Sequence, residues 1–458
     1  MSGVGAMQRL AYAAPAFALA IVGIPVYVFL PKFYTDVVGV EIGVVGVLLL
    51  GVRIFDAVTD PLVGVISDGT HTRFGRRRPF ILGASVPLAI SIWVLFSPPE
   101  LGPGAAALWL GVWTFALFLC WTLIVVPYES LGPEITFDYH ERTSLLGLRD
   151  GMLVAGTLAA SASPALIGWA FGLGDGPEGE RARFFWMAAL YTPLLVLLCA
   201  WCVISVPERP RSRSGPEPKR LDLRTIARNR PFAILLVSYT VSAIGSNLPA
   251  TLILFYVQYV LRSDLAGLFL VLYLGTGILF LPAWIALSKR IGKKSAWISG
   301  MALNTGSFAC VFFLGAGDAS VYGVLVFLSG LGFGATVAIP SSMEADVIDY
   351  DELLSGQRRE GRYLGIWSIA RKLAAALGVG LALPILGALG YRPGVEQTPQ
   401  VELALRTMYA LVPSLCNGLA LVIALYYPID QGVHTRILEG IALRREGLEG
   451  TDPLAQPT

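Results

Sequence analysis

Charge is scarce in this chain. Of its 458 residues only 14% are Asp, Glu, Lys or Arg, against about 25% in a soluble domain. With 55% hydrophobic residues, there is too little polar surface to clothe a soluble enzyme of this length. There are three histidines and five cysteines, and no nucleophile–base pair, metal-ligand cluster or phosphate loop falls at useful spacing. His71 lies in an arginine-rich loop and reads as a solvated residue. The cysteines, Cys120, Cys199, Cys202, Cys310 and Cys416, all sit within apolar runs. Cys199-Ala-Trp-Cys202 has redox-motif spacing but no His or charged neighbour, so packing explains it better. No Asn-x-Ser/Thr sequon occurs, in keeping with a bacterial cell membrane.

What the chain has instead is apolar runs of spanning length. They fall near 10–34, 42–66, 79–97, 105–129, 144–170 and 185–206, then near 231–260, 264–287, 295–315, 320–345, 361–390 and 404–428. An all-α membrane protein of twelve transmembrane helices follows. The first run is too long for a cleaved leader and is expected to be retained. A charged stretch, 207–230, separates two sets of six and is expected to be a basic cytoplasmic linker. The expected division is bundles 1–206 and 231–428, with a polar, partly disordered cytoplasmic tail over 429–458.

Lys and Arg set the orientation. With both termini cytoplasmic, the inner loops hold Arg73, Arg76, Arg77, Arg78, Arg142, Lys289, Arg290, Lys293, Lys294, Arg358, Arg359 and Arg362, besides the basic linker. The outer loops hold Arg181, Arg183, Arg262 and Arg392. RFGRRR is therefore read as a positive-inside loop with lipid headgroups as partners, not as a nucleic-acid site. The two sets also echo each other. HTRFGRRRPF joins the second and third runs, and SKRIGKKSAW joins the eighth and ninth. A shared basic-x-Gly-basic-basic pattern at equivalent points is expected of parallel repeats in a two-bundle transporter.

The sharpest anomaly is RIFDAVTDPLVG, residues 53–64, inside the second run. Each charge there costs about 2.5–3.5 kcal/mol at the bilayer centre. Asp56 and Asp60 are one helical turn apart and share a face. With the Thr59 hydroxyl they offer oxygens to a hard monovalent cation, or, through repulsion and poor solvation, a proton carrier. Arg53 can pair with Asp56, yet one arginine cannot neutralise both carboxylates. Pro61 is expected to break the helix and free a carbonyl.

FYTDVVGV, RIFDAVTDPLVGVISDGTHTRFGRRRPF, VPYESLGPEITFDYHERT, ADVIDYDEL and WSIARK occur in this order. Together they resemble the melibiose-carrier branch of the major facilitator superfamily, the glycoside–pentoside–hexuronide:cation symporters, over roughly residues 8–430. The resemblance implies the major facilitator fold of two six-helix bundles, no cofactor, and Na+ or H+ as coupling ion. It places Asp56 and Asp60 on the family's cation-site aspartates and Thr122 on a cation-site hydroxyl. Arg149 matches an arginine near the sugar, and Lys372 a lysine facing the cavity. Asp346 and Asp349 match acidic residues at the cytoplasmic end of helix ten.

Two sugar-binding carboxylates of the family are absent, for their places fall on Ala20 and Val125. A melibiose-like galactoside is therefore doubtful. Glu129 is one turn from Val125 and can supply the lost carboxylate or face the cytoplasmic loop. Tyr128 and Trp121 are candidates for stacking on a sugar, and Trp367 and Ser368 for lining the other side of the cavity. Asn247 is a lesser polar candidate. Arg149 and Lys372 can bind an anionic or polyhydroxyl substrate, or close a gate against Asp346 or Asp349. The resemblance also implies a latch between Asp68 and Arg76 or Arg77. The resulting expectation is a monomeric, cation-coupled sugar or glycoside symporter in a bacterial plasma membrane. Its rivals are a carrier of lysolipid or another amphipath and, further off, a non-transporting scaffold.

Overall fold

Every one of the twelve apolar runs is helical in the computed structural model, which describes residues 5–136, 139–174, 176–208, 229–356, 359–445 and 452–454. Most of the expected linker, 209–228, lies outside the described residues, as do Arg358 and the side chains of Arg142 and Arg362. The first six helices are α1 (Ala6–Val38), α2 (Ile42–Gly69), α3 (Arg78–Phe96), α4 (Pro103–Ile135), α5 (Tyr139–Ala170) and α6 (Pro177–Ser205). The second six are α7 (Arg230–Val260), α8 (Ala266–Leu279 and Leu281–Ile291), α9 (Lys293–Val311), α10 (Ala319–Ser355), α11 (Glu360–Ala388) and α12 (Pro399–Leu425).

Local chemistry sets the helix ends. Pro103, Pro177, Pro231 and Pro399 each stand in a first turn, where a missing N–H costs nothing. Asn229 and Thr398 cap α7 and α12 by accepting from the amides of Phe232 and Val401. Among the described residues, ten helices are long and apolar enough to cross a membrane, or eleven if the two pieces of α8, bent by 41°, count as one. The remaining rod, α9, opens on Lys293 and Lys294 and carries Ser299, Asn304, Thr305 and Ser307, which dilutes its hydropathy.

One expectation of the fold needs correction. Pro61 does not break its helix, since α2 runs unbroken through it. Its ring removes one hydrogen bond while close neighbours hold the rod. Beyond α12, Gln431–Arg445 forms a further helix, α13, lying against α10.

α1–α6 and α7–α12 meet along three seams: α2 beside α11, α5 beside α8, and the middle of α1 beside α7. Glycines permit the first of these. A Cβ added at Gly46 would lie 2.4 Å from Pro384 Cδ, and one at Gly380 would lie 2.5 Å from a Leu50 methyl. At the end opposite the basic loops, both halves contribute to one continuous apolar core, with Phe33 and Tyr34 from the first half and Phe255 and Tyr256 from the second. At the basic end the second half has a separate core around Trp297, Met343 and Tyr363. The molecule is thus closed at the end away from the basic loops.

The two basic loops are built alike. Gly75 and Gly292, the glycines of the shared pattern, have φ of +110° and +84°, a region that an L side chain rarely adopts. Each loop ties back to the last helix of its own half. The Arg76 and Arg77 amides donate to the carboxylate of Glu208, just beyond α6. Lys294 Nζ donates to the carbonyls of Leu425 and Tyr427, at the end of α12.

Candidate functional site

Halfway along the α2–α11 seam the charges of α2 meet a cation from the other half. Lys372 Nζ, on α11, donates to Asp56 Oδ2 at 2.9 Å and also to Asp60 Oδ2. Thr122 Oγ1, on α4, lies 2.9 Å from Asp56 Oδ1 and 3.1 Å from Asp60 Oδ1. Asp56 and Thr122 are buried, while Asp60 and Lys372 keep about a quarter of their side chains exposed. Helical periodicity puts both carboxylates on one face, and the seam brings Lys372 to it. Two carboxylates against one ammonium leave one negative charge, which suits one monovalent cation or one proton.

The remaining cation-site candidate, Thr59, is nearby but otherwise engaged: its hydroxyl donates to the Asp56 carbonyl at 3.2 Å. Arg53 does not pair with Asp56 as expected. Its guanidinium lies over the Tyr27 ring at 4.0 Å and the Phe118 ring at 5.1 Å, where cation–π attraction holds it away from the carboxylates.

The candidates on the first half are dispersed. Tyr128 is 2% exposed and donates to the Tyr12 carbonyl at 2.7 Å, so it has no free face for a sugar. Trp121 packs edge-on to Tyr27. Glu129 is exposed. Arg149 is held by Asp150, its neighbour on α5, at 2.7 Å and does not pair with Asp346 or Asp349. Ala20 is buried where α1 and α5 touch, for a Cβ on Gly156 would come within 2.8 Å of its own Cβ.

The gating candidates lie at the basic end. Arg77 Nη2 meets Asp68 Oδ1 at 3.0 Å, whereas Arg76 is turned to Glu208, 3.7 Å away. Asp346 accepts from Lys293 at 2.6 Å, and His434 of α13 lies 3.2 Å from Asp349 and 3.4 Å from Asp346.

Two features carried weaker sequence signals. At the closed end Asp36, inside FYTDVVGV, accepts from Tyr391 Oη at 2.8 Å and from Tyr259 Oη at 3.1 Å, joining the halves again. The motif marked the segment, but nothing local pointed to tyrosines more than two hundred residues away. Within the second half, a cavity of about 560 Å³ is lined by Tyr239, Ser242, Asn304, Trp367, Arg371 and Asn417, among others, and Ile24 and Val28 of α1 also face it. Trp367 stacks on Tyr239 with ring centres 4.1 Å apart. Asn247 lines this cavity, while Ser368 is half-buried on α11 and is not in its wall. Arg371 is the residue before Lys372, and only the fold separates their roles.

Residues 11–431 match the family described as MFS/sugar transport protein. Over 426 residues the chain is 32% identical to the glucuronide carrier protein homolog of Escherichia coli strain K12, covering 91% of each. It is 28% identical to the isoprimeverose transporter of Lactiplantibacillus pentosus, over 93% of this chain and 89% of that one. It is also 28% identical to a putative glycoside/cation symporter of Escherichia coli, over 88% of each. Among solved structures it superposes on the nucleoside transporter NupG with TM-score 0.64 at 15% identity, covering 92% of this chain and 98% of that one. A partially occluded inward-open xylose transporter of E. coli superposes with TM-score 0.62, also at 15% identity, covering 93% of this chain and 97% of that one. Both likenesses speak for a shared fold.

Proposed function

This chain belongs to the MFS/sugar transport protein family, in its glycoside–pentoside–hexuronide:cation symporter branch, and from that premise we propose that it carries a sugar or glycoside across the membrane with a cation, by alternating access. It is a transporter and not an enzyme. The observation that supports coupling most directly is Lys372 lying across Asp56 and Asp60. Asp56 Oδ1, Asp60 Oδ1 and Thr122 Oγ1 converge, and oxygens are the donors a hard cation such as Na+ takes. A proton taken up by one of the same carboxylates would fill that role equally. Either ion competes with Lys372 for the carboxylates.

In this reading Lys372 stands in for the ion in the empty carrier. An arriving ion releases it, loosens the α2–α11 seam and lets the halves rock. The basic loops face the cytoplasm with both termini, in a bacterial plasma membrane, and the closed end faces out. Polar walls at Ser242, Asn304 and Asn417 suit sugar hydroxyls better than an acyl chain.

The test is uptake of labelled glycosides into proteoliposomes under an imposed Na+ or H+ gradient. Wild-type uptake that follows one gradient, and that Asp56→Asn uncouples from it, supports the reading and names the ion. Uptake in Asp56→Asn that still follows the gradient sinks it.

A further inference from the structure

The positive charge of Arg371 is not used by anything described above. It sits one residue before Lys372, so the two point about 100° apart around the α11 axis. Lys372 turns to the α2 carboxylates, and Arg371 turns into the cavity of the second half. Among the described residues lining that cavity it is the only charged one. It forms no hydrogen bond or ion pair among the described residues, and its side chain belongs to an exposed residue with room to move. Glu344 on α10 is buried and has a partner of its own.

A lone guanidinium over a cavity of mixed polar and aromatic wall calls for an anion. Its fork matches a carboxylate in a two-point contact, which a lone hydroxyl cannot match in strength. Nearby, Asn417 uses its side-chain oxygen to accept from Ser242 at 2.6 Å, which leaves its NH2 as a further donor to the same space. The Trp367–Tyr239 stack supplies the flat apolar surface that a pyranose ring prefers. On the first half the counterpart places are apolar and closed, at Ala20 and Tyr128.

Resting on the symport reading above, we infer that this cavity is the substrate's acid-recognition subsite: Arg371 holds the carboxylate of an acidic sugar, a hexuronide, against Trp367 and Asn417. Because Arg371 and Lys372 share one helical turn, an anion at the first and a cation at the Asp56–Asp60 pair act on the same segment of α11. Joint loading then places one added charge of each sign on either side of it.

The experiment uses a matched pair of probes, methyl β-D-glucuronide and methyl β-D-glucoside, differing only in the C6 group. Counterflow into proteoliposomes is measured for the wild type, Arg371→Gln and Arg371→Lys, with thermal melting as the check on folding. The expected result is at least a tenfold preference of the wild type for the glucuronide. That ratio should collapse in Arg371→Gln and stand between the two in Arg371→Lys. A wild type that prefers the glucoside, or a preference unchanged in folded Arg371→Gln, overturns the subsite and leaves symport intact. Carriage of neither probe, by a wild type that moves no other glycoside under an ion gradient, defeats the symport reading and the subsite with it.

Discussion

Lys372 Nζ and Asp56 Oδ2 are 316 residues apart in sequence and 2.9 Å apart in space, joined across the seam between the two halves. If Lys372 is the stand-in cation of the empty carrier, its loss should hurt one phase of the cycle selectively. Lys372→Ala is expected to lower net uptake about tenfold, the equivalent of roughly 1.4 kcal/mol on the return step. Exchange of internal for external substrate, which never needs the empty form, should persist. Equal losses in both assays would assign Lys372 to substrate binding or folding instead.

Tyr391 and Tyr259 hold the closed end through Asp36. A hydrogen bond to a charged group contributes about 1.5–3 kcal/mol. Tyr391→Phe removes one such bond and should raise the population open at that end roughly tenfold or more. Distances between spin labels on the outer ends of α1 and α11 would report it, and an unshifted distribution would show that the apolar core alone keeps this end shut.

The Asp68–Arg77 pair lies wholly within the first half, so it braces the basic loop and does not join the bundles in this conformation. Asp68→Asn is expected to insert normally and to transport poorly. Membrane-fraction protein equal to wild type, with uptake well below it, is the signature. Lost insertion would give Asp68 a structural role.

Gly46 faces Pro384 with no room for a side chain. Gly46→Val should push α2 from α11, at a cost of about 1–3 kcal/mol in the closed arrangement. The expected readout is a lower melting temperature together with lost uptake. Gly64→Val, whose nearest neighbour is a Val126 methyl at 3.8 Å from an added Cβ, serves as the comparison and should be much milder.

How far the site could be read in advance depended on the range of each interaction. Asp56 and Asp60 were legible because an intramembrane charge is costly wherever it stands and a four-residue spacing fixes a shared face. Thr122 and Lys372 became legible through the resemblance, and the seam brought them to the same point. Arg53 was misassigned because proximity along a helix says nothing of competing aromatic rings such as Tyr27 and Phe118. The burial of Tyr128 was not legible, because burial is a property of the packed helices.

By itself the sequence determined the membrane class, the twelve rods and the paired basic loops. Each follows from local composition: runs of apolar residues, end-capping prolines, charges placed between runs, and glycines that alone reach a positive φ. Tertiary structure decided which end of the molecule is closed, that Asp36 joins the two halves, and which way Arg371 and Lys372 face. The physical reason is that adjacent residues on a helix point about 100° apart. The neighbours they reach are chosen by the packing of helices that lie hundreds of residues away, and no local pattern in the chain encodes that choice.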